Sequence, residues 1–103
     1  MKKIIVFCPV KETETVKKAM FSAGAGKIGN YDQCCFETMG TGQFRPLSGS
    51  NAYVGECNKL EKVEEIKLEM VCENSLLDSS IKAMKSAHPY EEVAFEVYSL
   101  DLQ

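Results

Sequence analysis

The chain has 103 residues, room for one domain of ordinary size and no second core. Hydrophobic residues make up 45% and charged residues 26%, near the averages of a globular domain, which excludes a disordered chain. A formal net charge of −3 argues against nucleic acid or an anionic membrane as a main partner, and no apolar run approaches the ~20 residues of a membrane helix.

The opening MKKIIVFCPV is too short for a signal peptide's apolar core and cleavage site. Residues 2–8 are rich in β-branched and apolar side chains and read as a strand with Ile4, Val6 and Cys8 on one face. Five cysteines, an odd count without an export signal, point to reduced thiols and a cytoplasmic protein. Val16, Ala19, Met20 and Ala23 follow at i, i+3, i+4 and i+7, the apolar stripe of a helix that Gly24 ends. The stretch GAGKIGN then leads to Tyr31 and a second strand that includes Cys34, Cys35 and Phe36. Adjacent cysteines in a strand point to opposite faces and cannot chelate one ion together.

Residues 38–59 form a long excursion holding Gly40, Gly42, Gly49 and Gly55, with Arg45-Pro46 between them. Glycine this dense predicts a β-ribbon running past the sheet and then a loop with unusual dihedrals or close backbone approach. Such a ribbon leaves edges that natural proteins cover, often with a neighbouring subunit. Ile66, Leu68, Met70 and Cys72 alternate as a third strand, and Leu77, Ile81 and Met84 mark a second helix. Asn74 or Ser75 can cap that helix with Asp78 in an approximate capping box, and Pro89 stops it just past His88. A last strand takes in Phe95.

These elements are two copies of one unit. At the spacing that separates Cys8 from Cys72, KAMFSA (18–23) faces KAMKSA (82–87), and at a slightly shorter spacing YDQCCFE (31–37) faces YEEVAFE (90–96). The change of spacing falls in a connecting loop, where length varies freely. Pseudo-repeats at about 1–37 and 65–98 give an α+β, ferredoxin-like βαββαβ sandwich, an antiparallel sheet with two helices on one face and an extended β-ribbon, within one domain at 1–103. In that plan the two repeat-initial strands are antiparallel neighbours. Cys8 and Cys72 then lie at opposite sheet edges, ~15–20 Å apart, too far for a shared metal or a disulfide.

Gly24-Ala25-Gly26-Lys27 is not a phosphate loop, because Ile28 follows the lysine and the glycines trail a helix instead of opening one. A looser anion site using backbone N–H groups with Lys27 or Arg45 stays open. There is no C-x-x-C pair, and Cys34, Cys35, Cys57 and His88 are the remaining soft or borderline metal candidates. His88 has a simpler role in hydrogen bonding nearby backbone carbonyls, or a sharper one with Glu91 or Glu92 at a subunit-interface metal site. With one histidine and no adjacent nucleophile, no catalytic constellation is visible, and the chain reads as a non-enzyme of unassigned cofactor.

Four segments, GKIGNYDQC (26–34), GTGQFRP (40–46), LEKVEE (60–65) and HPYEE (88–92), together resemble the PII/CutA-like insert domain of YqfO-type dinuclear-metal hexameric proteins. The HPYE portion is also similar to CutA, a trimeric protein linked to divalent-cation tolerance. The resemblance implies a ferredoxin-like subunit that trimerises, with ribbons packing on neighbours. The metal-binding residues of the YqfO-type proteins belong to a core with no counterpart in this chain, so the resemblance carries no dinuclear site over and suggests the insert as a stand-alone chain. It implies a binding or regulatory module, a homotrimer, with a small ligand or protein partner near subunit interfaces. The ligand-binding candidates are Gly26, Lys27 and Tyr31 in one segment, Gly40, Gly42 and Arg45 in a second, and His88, Tyr90 and Glu91 in a third. The alternative function is divalent or soft metal binding in the manner of CutA.

Overall fold

In the computed structural model, which describes residues 1–101, strand β1 (Lys2–Pro9) leads through a short 3-10 turn into helix α1 (Thr13–Ser22). Strands β2 (Phe36–Phe44) and β3 (Glu61–Cys72) follow, then a second 3-10 turn (Asn74–Leu76), helix α2 (Leu77–Ala87) and strand β4 (Phe95–Ser99). Of the domain expected at 1–103, Leu102 and Gln103 lie outside the described residues. The strands form one sheet in the order β2-β3-β1-β4, every neighbouring pair antiparallel. This is the α+β arrangement that the repeat predicts.

The core lies between the sheet and the two helices. Ile4, Val6 and Cys8 of β1 and Ile66, Leu68, Met70 and Cys72 of β3 turn one face of the alternating strands inward, where they meet Val16, Met20 and Met84 from the helices. Leu77 and Ile81 flank this cluster, half-buried. In the β1–β3 register Cys8 pairs with Ile66 and Cys72 with Lys2, so the two cysteines do sit at opposite ends of the strand pair. Each touches a hydroxyl of the helix that follows it. Cys8 Sγ is 3.5 Å from Thr13 Oγ1, and Cys72 Sγ is 3.5 Å from Ser80 Oγ. Thr13 donates to the Pro9 carbonyl, leaving its oxygen to accept from Cys8. Burial pushes the Cys8 thiol above its ordinary pKa.

Gly24 ends α1 as expected, with φ +104. Its N–H donates to Phe21 O and the N–H of Ala25 to Met20 O, the paired bonds of a Schellman turn around a left-handed glycine. The start of α2 differs from the expectation. Asn74 and Ser75 are part of the 3-10 turn, and Leu76 precedes the helix with no side-chain cap, so the capping box with Asp78 does not form. The tighter turn satisfies backbone groups itself, through Leu76 N to Glu73 O.

β2 also starts later than expected. Cys34 and Cys35 precede the strand, after Gln33 at φ 54, and Phe36 opens it as Phe95 opens β4. The two phenylalanines keep their equivalent places but not their environments, since Phe36 is 68% exposed while Phe95 packs on the core under Lys85, whose Nζ stands 5.0 Å from the ring. β3 is longer than its partner β1, and its first four residues pair only with the end of β2, through Glu61 to Phe44 and Glu64 to Thr41. That pair is the β-ribbon running beyond the sheet. The molecule is drawn out accordingly, to 46 × 24 × 24 Å.

Candidate functional site

The ribbon leaves the sheet beside the link between α2 and β4, and side chains from both meet there. His88 ends α2 in the extended conformation that a following proline imposes. Its Nδ1 accepts the Tyr90 N–H at 3.1 Å, which leaves Nε2 to donate to the Phe7 carbonyl at 2.8 Å. The buried imidazole thus ties the α2–β4 link to β1, and both of its nitrogens are engaged.

The link places the Tyr90 ring among other aromatics. Its centroid is 6.0 Å from that of Phe44 and 6.2 Å from that of Tyr53, at interplanar angles of 59° and 52°, with the His88 ring 4.9 Å away. The Tyr90 hydroxyl is buried and makes no well-aligned hydrogen bond. Desolvation raises this phenol well above its usual pKa, and the nearby Glu65 carboxylate adds to the effect by its charge and as an acceptor within reach of the hydroxyl proton. Glu65 stands on the face of β3 away from the core and lies across Gly42, occupying the space that a Cβ there would need. Gly42 is therefore a close-approach glycine. Gly40 is not, since a Cβ at that position would meet open space.

After the ribbon, the loop at 45–60 does not project freely. It folds back over the ribbon's base and is held at three points. Asn58 N donates to the carbonyl of buried Pro46 at 2.6 Å, Asn51 N to Glu91 Oε1 at 2.8 Å, and the Tyr53 hydroxyl to Glu12 Oε1 at 2.7 Å. Beneath it lies a cavity of about 420 Å³. Its walls are mainly apolar, from Phe7, Phe44, Pro46, Leu47, Tyr53, Val54 and Tyr90, with Gln43, Arg45, Glu65, Glu91 and Glu92 as polar groups. A concave, largely apolar space with a few convergent polar groups, in the ~300–1,000 Å³ range, is the usual form of a small-molecule site.

The structure sorts the expected ligand residues into two places. Arg45, Tyr90 and Glu91 line the cavity, His88 supports Tyr90 from behind, and Gly42 makes room for Glu65. Gly26, Lys27 and Tyr31 lie elsewhere. Gly26 donates to Val71 O near the far end of β3, six positions from Glu65 and ~20 Å away along the strand, and Lys27 and Tyr31 are exposed. Within one chain these two regions are separate. The metal candidates are not brought together either. Cys57 is exposed in the loop, Cys34 donates to Asp32 O, Cys35 packs at the core margin, and among the described residues no three His, Cys, Asp or Glu side chains are grouped to hold an ion.

Phe7, Phe44, Tyr53 and Glu65 belong to the cavity without having been marked in the sequence. Strand alternation was the usable signal for two of them. Phe7 lies between Val6 and Cys8 and Glu65 next to Ile66, so both must face away from the core.

No protein-family model matches the chain. It is 43% identical over 101 residues to a GTP cyclohydrolase 1 type 2 homolog of Bacillus subtilis, covering 98% of this chain and 27% of that protein. It thus spans about a quarter of the length of that curated relative. Among solved structures, a Bacillus cereus protein related to NIF3 aligns with a TM-score of 0.84 and 50% identity, over 98% of this chain and 26% of that one. CutA from Xylella fastidiosa aligns with a TM-score of 0.70 and 16% identity, over 99% of this chain and 85% of that one. GlnK of Bacillus subtilis follows at 0.61 and 16%, over 96% and 83%. The last two likenesses show the fold alone.

Proposed function

From a chain that is a PII/CutA-like domain, related to a segment of the GTP cyclohydrolase 1 type 2 homologs, we propose a non-enzymatic binding or regulatory module whose ligand occupies the cavity at the base of the ribbon. The observation that carries this reading is the cavity of about 420 Å³ itself, mainly apolar and lined by Arg45, Tyr90 and Glu91 from two of the three expected segments. The module is a cytoplasmic homo-oligomer, a trimer by its likeness to CutA, with the exposed ribbon and loop edge covered by a neighbouring copy. That arrangement places the cavity near a subunit interface.

A thermal-shift screen of small metabolites against the wild type and Phe44→Leu tests the reading. Ligands of the cavity raise the melting temperature of the wild type with concentration and lose most of that effect in the variant. Compounds that shift both proteins equally, or the absence of any hit, would overturn the placement of the site.

A further inference from the structure

The wall that the loop gives to the cavity is attached differently from the other walls. The neck of the loop is closed by backbone, where Asn58 N donates to the carbonyl of buried Pro46 at 2.6 Å. Beyond the neck, Ser50, Ala52, Tyr53 and Val54 line the cavity. Among the described residues, no backbone–backbone hydrogen bond joins this stretch to a strand or a helix. It is tied to the body of the molecule through two side-chain carboxylates instead. Asn51 N donates to Glu91 Oε1 at 2.8 Å, and the Tyr53 hydroxyl donates to Glu12 Oε1 at 2.7 Å, both in exposed positions. Apolar packing adds little, since Ala52 and Val54 are only half-buried and Tyr53 is 56% exposed, its ring resting on that of Tyr90.

The stretch is bounded by Gly49 at φ +93 and Gly55 at φ +98. Glycine moves between left- and right-handed backbone without a steric barrier at Cβ, so these are the positions where the chain can turn most freely. At Gly49 a Cβ would meet open space, so the backbone angle and not packing calls for glycine there. A permanent wall is stitched by backbone ladders and apolar side chains. A segment held by two exposed hydrogen bonds between two glycines belongs to the low-stability end of a structure, from which lids are drawn. We infer that residues 50–54 form a hinged lid on the cavity, turning about Gly49 and Gly55 and latched shut by Glu12 and Glu91. This rests on the reading of the cavity as the ligand site and adds how the site opens. Glu12 precedes α1 and Glu91 precedes β4, so lifting the lid frees one carboxylate in each half of the repeat.

The test uses the full chain and needs no ligand. Water-exchange NMR at pH 7 reads the Asn51 amide, and relaxation by the neutral nitroxide TEMPOL reads the ring protons of Phe44 and Tyr90 in the cavity wall. Tyr53→Phe keeps the ring and removes the bond to Glu12. If the lid lifts as one body, Tyr53→Phe should speed Asn51 exchange about three- to tenfold, although Asn51 keeps its own bond to Glu91, and should raise the nitroxide effect on both rings. Glu12→Ala should do the same, and Glu12→Gln, which keeps an acceptor, should stay near the wild type. The Leu68 amide in β3 should keep its exchange rate in all three variants. Unchanged Asn51 exchange in Tyr53→Phe and Glu12→Ala would overturn the lid, because the two bonds would then break independently. Faster Asn51 exchange without a larger nitroxide effect would overturn it as well, since the loop would move without uncovering the cavity. A parallel rise at Leu68 would mean general loosening and count equally against it. A thermal-shift screen without hits, beside a lid that opens as described, would remove the ligand site alone. Hits beside a loop that fails these tests would remove the lid alone.

Discussion

Tyr90 and His88 are two residues apart and have opposite hydrogen-bonding balances. His88 satisfies both ring nitrogens, so His88→Ala should cost about 2 kcal/mol, roughly 1 kcal/mol for each lost bond, measured by urea unfolding. The Tyr90 hydroxyl makes no well-aligned bond, so Tyr90→Phe should change stability by less than about 1 kcal/mol. A pH series adds a second check. Because the folded chain holds the Tyr90 proton above the ordinary phenol value of 10.0, the stability tied to it is complete below that value and is lost as pH rises past it. Tyr90→Phe should therefore flatten the fall of stability between pH 10 and 11. An unchanged alkaline slope would show that this phenol is not held protonated by its surroundings. The thiols give a further contrast, with Cys57 exposed and Cys8 and Cys72 buried in the core. A disulfide reagent should label Cys57 within the mixing time and Cys8 and Cys72 only as fast as the protein opens. Rapid labelling of all three would mean that the sheet–helix core is not closed as described.

Among the elements, the ones set by local chemistry were readable and the ones set by distant contacts were not. Alternation in β1 and β3 placed Ile4, Val6, Cys8, Leu68, Met70 and Cys72 on the buried face, and the repeat paired the two strands correctly. Gly24 ended α1 because a left-handed residue is needed after a helix and glycine adopts that conformation without strain. Gly24→Ala should destabilise the protein by about 1–2 kcal/mol for the backbone alone. The new methyl would also stand 2.7 Å from Leu76 Cδ1, so relief depends on that flexible side chain moving. A melting temperature equal to the wild type would contradict the Schellman turn. The late start of β2 had no such marker, since Gln33 takes a positive φ that its side chain does not favour. The start of α2 was obscured by two good capping residues that the chain spends in a 3-10 turn. The loop at 45–60 was legible as glycine-rich. Its return over the ribbon was not, because that depends on Asn51 reaching Glu91 and Tyr53 reaching Glu12, some forty residues away in sequence.

For the whole molecule, pseudo-twofold repetition explains the sheet and its helices, and the departures from it explain the site. The second repeat supplies His88, Tyr90 and Glu91, the extension of the first supplies Phe44, Arg45 and Tyr53, and the cavity exists where the two meet. Much apolar surface is left uncovered on this small body, with Met39, Leu47, Leu60 and Phe36 each more than half exposed. These residues lie on the ribbon, its loop and the edge strand β2, where a neighbouring copy would bury them. Whether the protein is a binding module that works as an assembly is read by native mass spectrometry of the purified protein, which reports subunit number and retained ligand together. Three subunits are expected, with added mass wherever ligand survives purification and with Phe44→Leu losing that mass while keeping the trimer. A monomer at micromolar concentration, with no retained mass, would contradict it.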